Sequence, residues 1–229
     1  MAFATLTYQS TDTPNLQWIQ AQLQLAADRL LHSLPEPAAL TTEQRRGMIA
    51  RYTAVLEGNF IYWMTGAYLA VRTEEARSII VDNLTEEVRD SHPAMMRKFA
   101  LAANAAPTEA DALAVYADLT KVRVFVGKLS AVRTLLMMGF FEGFIQKFMG
   151  YLADLAARQG STEMEYTDVH GVCDIAHTEG LMRALAAEMA LEPAEPADDL
   201  FEGLELLATL MQTVLEPTEV GVAGVAVLQ

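Results

Sequence analysis

The segment TDVHGVCDIAHTEGLM, residues 167–182, decides the expected fold and the expected chemistry together. His170, Asp174 and His177 lie at positions i, i+4 and i+7, so on an α-helix their side chains project within roughly 60° of one another. Fe(II), Mn(II) and Zn(II) accept imidazole nitrogen and carboxylate oxygen as ligands, which makes this helical face a candidate metal site. The alternative is a histidine pair hydrogen-bonded to Asp174 without a metal, and the segment alone leaves both interpretations open.

The rest of the chain favours helices as well. Its long segments are rich in Ala, Leu, Met, Glu, Gln and Arg, and no strand-like alternation of useful length interrupts them. At 229 residues the chain can bury the core of one domain. We therefore predict an all-α, single-domain bundle of about seven helices. The expected helices cover about 15–33, 42–69, 74–90, a new direction after Pro93, 108–158 with a bend, 163–191 and 198–214.

Local signals give the expected boundaries of these helices and of the domain. Capping-box patterns occur at Thr41 with Gln44 and at Thr162 with Glu165, and Thr73 is the expected N-cap of the third helix. Two prolines should separate the last helix from the one before it. The chain is expected to consist of an irregular N-terminal arm at 1–14, a helical domain at 15–216 and a C-terminal tail at 217–229, with Pro193 and Pro196 ahead of the last helix.

Composition restricts the partners and the compartment. The formal net charge is −14, so the chain should repel nucleic acids and anionic membranes. The single cysteine, Cys173, excludes an intramolecular disulfide and is typical of a reducing compartment. No signal-peptide pattern or membrane-spanning stretch is visible. We predict a soluble, cytoplasmic protein that acts on a small molecule, with a homodimer left open.

Carboxylates and a third imidazole elsewhere in the chain could complete a metal site. Glu142 interrupts the apolar stretch LMMGFFEGFI, residues 136–145, where an ionised carboxylate costs several kcal/mol unless a cation pairs with it. A metal is one such cation, and a solvent-facing position at a helix edge is the alternative. Glu57 has a similarly apolar setting, and His92 follows Glu86 and Glu87 within two turns.

The order of these motifs resembles a known family. Asn83-Leu84-x-x-Glu87 followed by His92, then Glu142 after an apolar run, then the His-x3-Asp-x2-His motif, is similar to the haem-oxygenase-like di-iron oxidases. The resemblance covers about residues 45–190. The segment Leu56-Glu57-x-x-Phe60 also resembles the first core helix of the fatty-acid decarboxylases in that family, which form terminal alkenes.

The resemblance implies a seven-helix, haem-oxygenase-like fold that binds two Fe(II) ions and uses O2 as co-substrate. Glu57 matches an auxiliary carboxylate that ligates or stabilises a peroxo intermediate in some members. Glu87 and His92 are five residues apart, about 140° around an ideal helix, so both can face the metals only if the helix breaks near Pro93. Glu86 stays open as an alternative to Glu87. The implied metal ligands are Glu87, His92, Glu142, His170, Asp174 and His177.

The same resemblance suggests the reaction class but not the reaction. Relatives carry out oxidative decarboxylation, N-oxygenation or C–C cleavage, and the expected substrate is a small amino-acid- or fatty-acid-like metabolite. Its carboxylate could be anchored by one of four basic residues that precede Glu142. Three other functions stay open: a haem-binding or haem-degrading oxygenase, a metal-free thiaminase-like hydrolase that uses Cys173, and a non-catalytic helical interaction module. The four basic residues are Lys121, Arg123, Lys128 and Arg133.

Overall fold

The computed structural model describes residues 14–192 and 197–218. Within these ranges the regular structure is helical and no strand occurs, which confirms the predicted all-α single-domain class. A short 3₁₀ helix covers Pro37–Ala39. The α-helices are α1 (Leu16–His32), α2 (Thr42–Ala70), α3 (Glu74–Arg89), α4 (His92–Ala102), α5 (Glu109–Val126), α6 (Ala131–Arg158), α7 (Glu165–Leu191), α8 (Ala197–Leu200) and α9 (Glu202–Leu215).

Two of the predicted helix starts are confirmed by side-chain caps. The Thr41 hydroxyl accepts a hydrogen bond from the amide of Gln44, and the Gln44 side-chain oxygen accepts one from the Thr41 amide, so the capping box at α2 is complete. Thr73 caps α3 in the same way through the amide of Ala76. Both helices therefore begin where short-range hydrogen bonding dictates.

The predicted capping box at the start of α7 is wrong. The helix begins at Glu165 with Met164 as its N-cap, and no side chain caps it. Other bonds occupy this loop: the Ser161 hydroxyl accepts from the Glu163 amide, and the Glu163 carboxylate accepts from the Glu165 amide. The amide that a Thr162 cap would have bound is already satisfied.

The predicted helical region at 108–158 divides into α5 and α6. Residues 127–130 separate them, and Leu129 adopts a left-handed conformation with φ of 53°, which no continuous helix can contain. Together with the four-residue α8, this break raises the number of helices in the described ranges from the expected seven to nine. The predicted role of Pro193 and Pro196 lies outside the described residues, as does nearly all of the predicted arm and tail.

The predicted break before α4 is confirmed. Ser91 has φ of 58°, a left-handed conformation, and α4 begins immediately after it at His92 with Pro93 in the first turn. Proline suits that position because its missing N–H would have no partner in the first turn of a helix. The chain therefore turns sharply between Glu87 and His92.

Helix α6 lies at the centre of the bundle. It packs against α1, α2, α7 and α9, and most extensively against α7. Its aromatic residues Phe140, Phe144 and Phe148 stack along one side with ring centroids 5.2–6.3 Å apart. None of the helices in the described part of the chain is long and apolar enough to cross a bilayer. The central position of α6 is what buries Glu142.

Candidate metal centre

Three side chains meet where α3, α4 and α7 approach one another, and we call Glu87, His92 and His170 the first cluster. Each offers one ligand atom, and these atoms lie within 4.8 Å of one another, with all three residues buried. Glu87 Oε1 is 2.7 Å from His92 Nδ1 and 3.9 Å from His170 Nε2. The turn at Ser91 makes this arrangement feasible, because it returns His92 to the same side as Glu87.

A hydrogen bond fixes which nitrogen of the His170 imidazole carries the proton. His170 Nδ1 lies 2.8 Å from the carbonyl oxygen of Tyr166, which can only accept, so Nδ1 donates and Nε2 keeps its lone pair. Burial lowers the pKa of His170 to about 4, although the Tyr166 carbonyl opposes this shift. His170 is therefore a neutral imidazole whose free nitrogen faces Glu87, the form in which histidine binds metals.

A second cluster consists of Glu86, Glu142 and His177, which come from α3, α6 and α7. His177 lies seven residues, about two helical turns, after His170 on α7. His177 Nε2 is 2.9 Å from Glu86 Oε2, and His177 Nδ1 is 4.0 Å from Glu142 Oε2. The Glu142 and His177 side chains are buried, whereas that of Glu86 is 43% exposed. The alternative that Glu142 faces solvent is therefore wrong.

The sequence offered Glu86 and Glu87 as alternatives for one ligand position, but the structure places both carboxylates against imidazoles. Both carboxylates contact an imidazole, but they contact different ones: Glu87 lies against His92 and His170, and Glu86 lies against His177. Glu87 therefore belongs to the first cluster and Glu86 to the second, although the two residues are neighbours near the end of α3. The assignment of either as a ligand stays a prediction.

The structure does not place the side chains of the two other predicted site residues, Asp174 and Glu57, in either cluster. Asp174 lies on α7 between His170 and His177, but its side chain, like that of Cys173, is outside the described residues. Glu57 lies on α2 with its side chain 32% exposed, and Arg97 of α4 donates to its carboxylate from Nε at 2.8 Å and also from Nη2. Glu57 does not line the cavity at the first cluster. Its predicted auxiliary role stays a prediction.

The cavity beside the first cluster is small and mostly apolar. Its volume is about 20 Å³, enough for one water-sized molecule. Helix α2 supplies Leu56, Phe60 and Ile61, and α6 supplies Phe141 and Ile145. These side chains shield the imidazoles and carboxylates from bulk water.

Tyr166 is a site residue that the sequence interpretation missed. Its ring centroid lies 4.3 Å from that of His170, its carbonyl fixes the His170 proton, and its hydroxyl is 3.0 Å from that of Tyr52. The signal was present in the sequence, since Tyr166 precedes His170 by four residues and therefore shares its helical face.

The two clusters fit a pair of divalent metals. In each, an imidazole nitrogen faces a carboxylate oxygen, at 3.9 Å between His170 and Glu87 and at 4.0 Å between His177 and Glu142. Two electron-pair donors that face each other at this distance leave room for one cation about 2 Å from both, the usual length for first-row metals with nitrogen and oxygen ligands. Haem would need one axial imidazole and would leave the buried carboxylates unexplained.

A helical bundle that gathers buried carboxylates and imidazoles from several helices can hold metal ions in its core. Residues 49–211 match the family model described as an iron-containing redox enzyme, and the chain belongs to that family. This confirms the resemblance to the haem-oxygenase-like proteins. A comparison with curated proteins found no match. Family membership supports iron binding and a redox function for this chain.

Proposed function

We propose that this chain is an O2-activating, non-haem di-iron oxidase or oxygenase. One observation carries the proposal: two facing imidazole–carboxylate pairs, His170 with Glu87 and His177 with Glu142, lie side by side in a bundle whose family contains iron. Glu86, His92 and Asp174 would complete the ligand set. The cytoplasmic location predicted from the single cysteine belongs to the same proposal.

The residues around the clusters would prepare this site before any substrate arrives. The Tyr166 carbonyl holds the proton on His170 Nδ1, so the imidazole presents its lone pair without reorientation. Glu87 holds His92 in the same way through its Nδ1 proton. The carboxylates supply negative charge to balance two divalent cations, and the apolar wall of α2 and α6 limits access of water.

When bound, two Fe(II) ions would supply the electrons that reduce O2 and the open coordination positions at which it reacts. The proposed substrate is a small amino-acid- or fatty-acid-like metabolite, and the proposed reaction is an oxidative decarboxylation, an N-oxygenation or a C–C cleavage. The choice among these reactions depends on the substrate.

The proposal is tested by anaerobic reconstitution with Fe(II), metal analysis and an O2 electrode. We expect about two iron atoms per chain, from two clusters that each fit one metal, and iron-dependent O2 consumption. His170→Ala should abolish that consumption. His32→Ala is the matched control, because His32 is exposed at the end of α1 and its hydrogen bond within the described part of the chain involves the Asp28 carbonyl. Zinc in place of iron, or normal O2 consumption by His170→Ala, would rule the proposal out.

A further inference from the structure

A groove separate from the metal centre runs between α1, α6 and α7, with a volume of about 450 Å³. Its floor is apolar and contains Leu23, Phe140 and Met182, all nearly buried. Its rim is polar and includes Glu179 and Arg183 from α7. A floor of this kind, with charged groups at the edge, is typical of a site for an amphipathic small molecule.

The groove and the first cluster lie on different faces of α6 and α7, whereas Arg183 lines both the groove and the cavity beside Glu86 and His177. On α6, Phe141 and Glu142 face the metal centre, whereas Phe140 and Gly143 line the groove. On α7, His170 lines the cavity at the first cluster, whereas Met182 lines the groove. None of the candidate metal ligands whose side chains are described lines the groove, and the inference does not depend on the proposed function.

Glycines on α6 keep the groove open. At Gly143 an added Cβ would meet only the Thr178 methyl, at 3.9 Å, so no neighbouring side chain fills that space. At Gly139 an added Cβ would lie 2.3 Å from Met182 Cε, so any larger residue there would displace the floor. The absence of side chains at these two positions lets α1 and α7 border an open channel.

Arg183 differs from the basic residues that the sequence offered as carboxylate anchors. Lys121 pairs with Asp118 at 2.8 Å, and both Lys128 and Arg133 pair with Glu202. Arg123 donates to the side-chain oxygen of Asn59 at 2.7 Å. Arg183 is exposed at the groove, and no carboxylate among the described residues lies within 4.0 Å of its guanidinium. It is therefore available to a ligand, in a chain whose net charge of −14 leaves few such cations.

Glu179 stands one helical turn before Arg183 on the same face of α7, and it is also exposed at the groove. Although an i, i+4 pair of this kind can form an ion pair, these two side chains do not form one. The rim thus presents an anion and a cation side by side, each with its charge uncompensated by the other. A simple carboxylate would be repelled by Glu179, and a simple amine would be repelled by Arg183.

We propose that this groove binds an α-amino acid with an apolar side chain. Arg183 receives the carboxylate, for which the guanidinium fork is suited, and Glu179 receives the ammonium group. The apolar side chain lies on Leu23, Phe140 and Met182. Only a zwitterion with adjacent charges satisfies both rim residues at once. The ligand would also contact Gly143 and Thr178, the residues next to Glu142 and His177.

Calorimetric titration of the metal-free chain with L-phenylalanine tests the proposal without reference to iron or activity. We expect one molecule bound per chain, and at least tenfold weaker binding of phenethylamine, which lacks the carboxylate, and of 3-phenylpropanoate, which lacks the amine. Arg183→Gln should weaken L-phenylalanine at least tenfold. Glu179→Gln should weaken the binding of L-phenylalanine, because the ammonium group loses its partner. The same variant should strengthen the binding of 3-phenylpropanoate, because it removes the charge that repels the carboxylate.

Arg29→Gln is the matched control, since Arg29 is exposed, forms no ion pair within the described residues and does not line the groove. It changes the net charge by the same amount as Arg183→Gln and should leave binding unchanged. No binding of L-phenylalanine, equal binding of the three probes, or equal effects of Arg183→Gln and Arg29→Gln would each overturn the proposal. A chain that binds no iron but binds L-phenylalanine in this pattern would retain the groove and lose the proposed function.

Discussion

The two clusters of the candidate metal centre use the same residue types but differ in their surroundings. In the first cluster Glu87, His92 and His170 are all buried, and Glu87 already hydrogen-bonds His92. In the second cluster Glu86 is 43% exposed and borders an open cavity of about 200 Å³ between α3 and α7, which Asp82 and His177 also line. The first cluster is thus closed to solvent, and the second is open on one side.

This difference predicts two metal sites of unequal affinity. A buried carboxylate is desolvated before the metal arrives and interacts strongly with it, whereas an exposed carboxylate must first lose water. The first cluster should therefore bind the first equivalent of iron. The second cluster should bind the next equivalent more weakly, with access through the cavity beside Glu86.

The largest effect should come from removing one carboxylate charge from each cluster in turn. Glu87→Gln should weaken the tight site on the order of 100-fold or more, because a ligand is lost rather than a supporting contact. Glu142→Gln should leave about one tightly bound iron per chain and lose the second. Anaerobic Fe(II) titration followed by metal analysis separates these results. Identical losses in the two variants would mean that the clusters form one inseparable site.

The acid stability of the metal-free protein should depend on the first cluster. His170 has its pKa lowered to about 4 by burial, from an ordinary value of 6.5, with His92, Glu87 and His177 nearby. Between these pH values the unfolded chain binds a proton at His170 that the folded chain does not, so the free energy of unfolding falls as the pH falls from 6.5 towards 4. The total loss is about 3 kcal/mol.

Urea unfolding of the metal-free protein between pH 7 and pH 4.5 measures this dependence. His170→Gln removes the titrating group and should flatten the pH profile over that range. His32→Gln, at the exposed end of α1, should keep the steep profile. If His170→Gln and the parent chain lose stability in parallel, then other groups cause the acid sensitivity.

A smaller effect should distinguish the neighbours Glu86 and Glu87. Glu86→Gln retains the shape that accepts a hydrogen bond from His177 Nε2, and its carboxylate is partly solvated already. We expect Glu86→Gln to lower the affinity for the second equivalent of iron by about tenfold and to leave the affinity for the first equivalent unchanged. Anaerobic Fe(II) titration of Glu86→Gln and Glu87→Gln side by side measures the affinity for each equivalent of iron in both variants. A loss of the first iron in Glu86→Gln would contradict the division into two clusters.

The smallest effect concerns Glu57, which lies outside both clusters. Glu57→Gln should bind both irons normally but consume O2 several-fold more slowly, if the auxiliary carboxylate acts only after O2 arrives. Because the ion pair with Arg97 is partly exposed, stability should change by less than about 1 kcal/mol. Arg97→Gln breaks the same pair but keeps the carboxylate, and should retain O2 consumption. Equal losses in both variants would assign the effect to the ion pair.

The features of this protein that sequence predicted are local. The helical face that carries His170 and His177, the caps at Thr41 and Thr73, and the break before Pro93 each depend on residues within two turns of one another. Short-range hydrogen bonding and helix periodicity determine them, and periodicity needs no knowledge of the fold. For the same reason the burial of Glu142 followed from its apolar neighbours.

The features that sequence missed depend on contacts between distant segments. Glu86 meets His177 only because α3 packs beside α7, and Arg97 reaches Glu57 across 40 positions of the chain. The break between α5 and α6 was also missed, because Leu129 is not a residue type that favours a left-handed conformation. Packing imposes that conformation, and local propensity does not reveal it.

The left-handed turn at Ser91 restricts how this sequence can vary. Glu87 and His92 meet because four residues and one reversed backbone angle connect them, so their distance is set by the length of the connection rather than by helical phase. Glycine, asparagine or aspartate could replace Ser91, whereas a β-branched residue would be strained there. A single inserted or deleted residue would carry His92 away from Glu87 altogether. The short connection between α3 and α4 is thus a spacer of fixed length that tolerates few substitutions and no change in the number of residues.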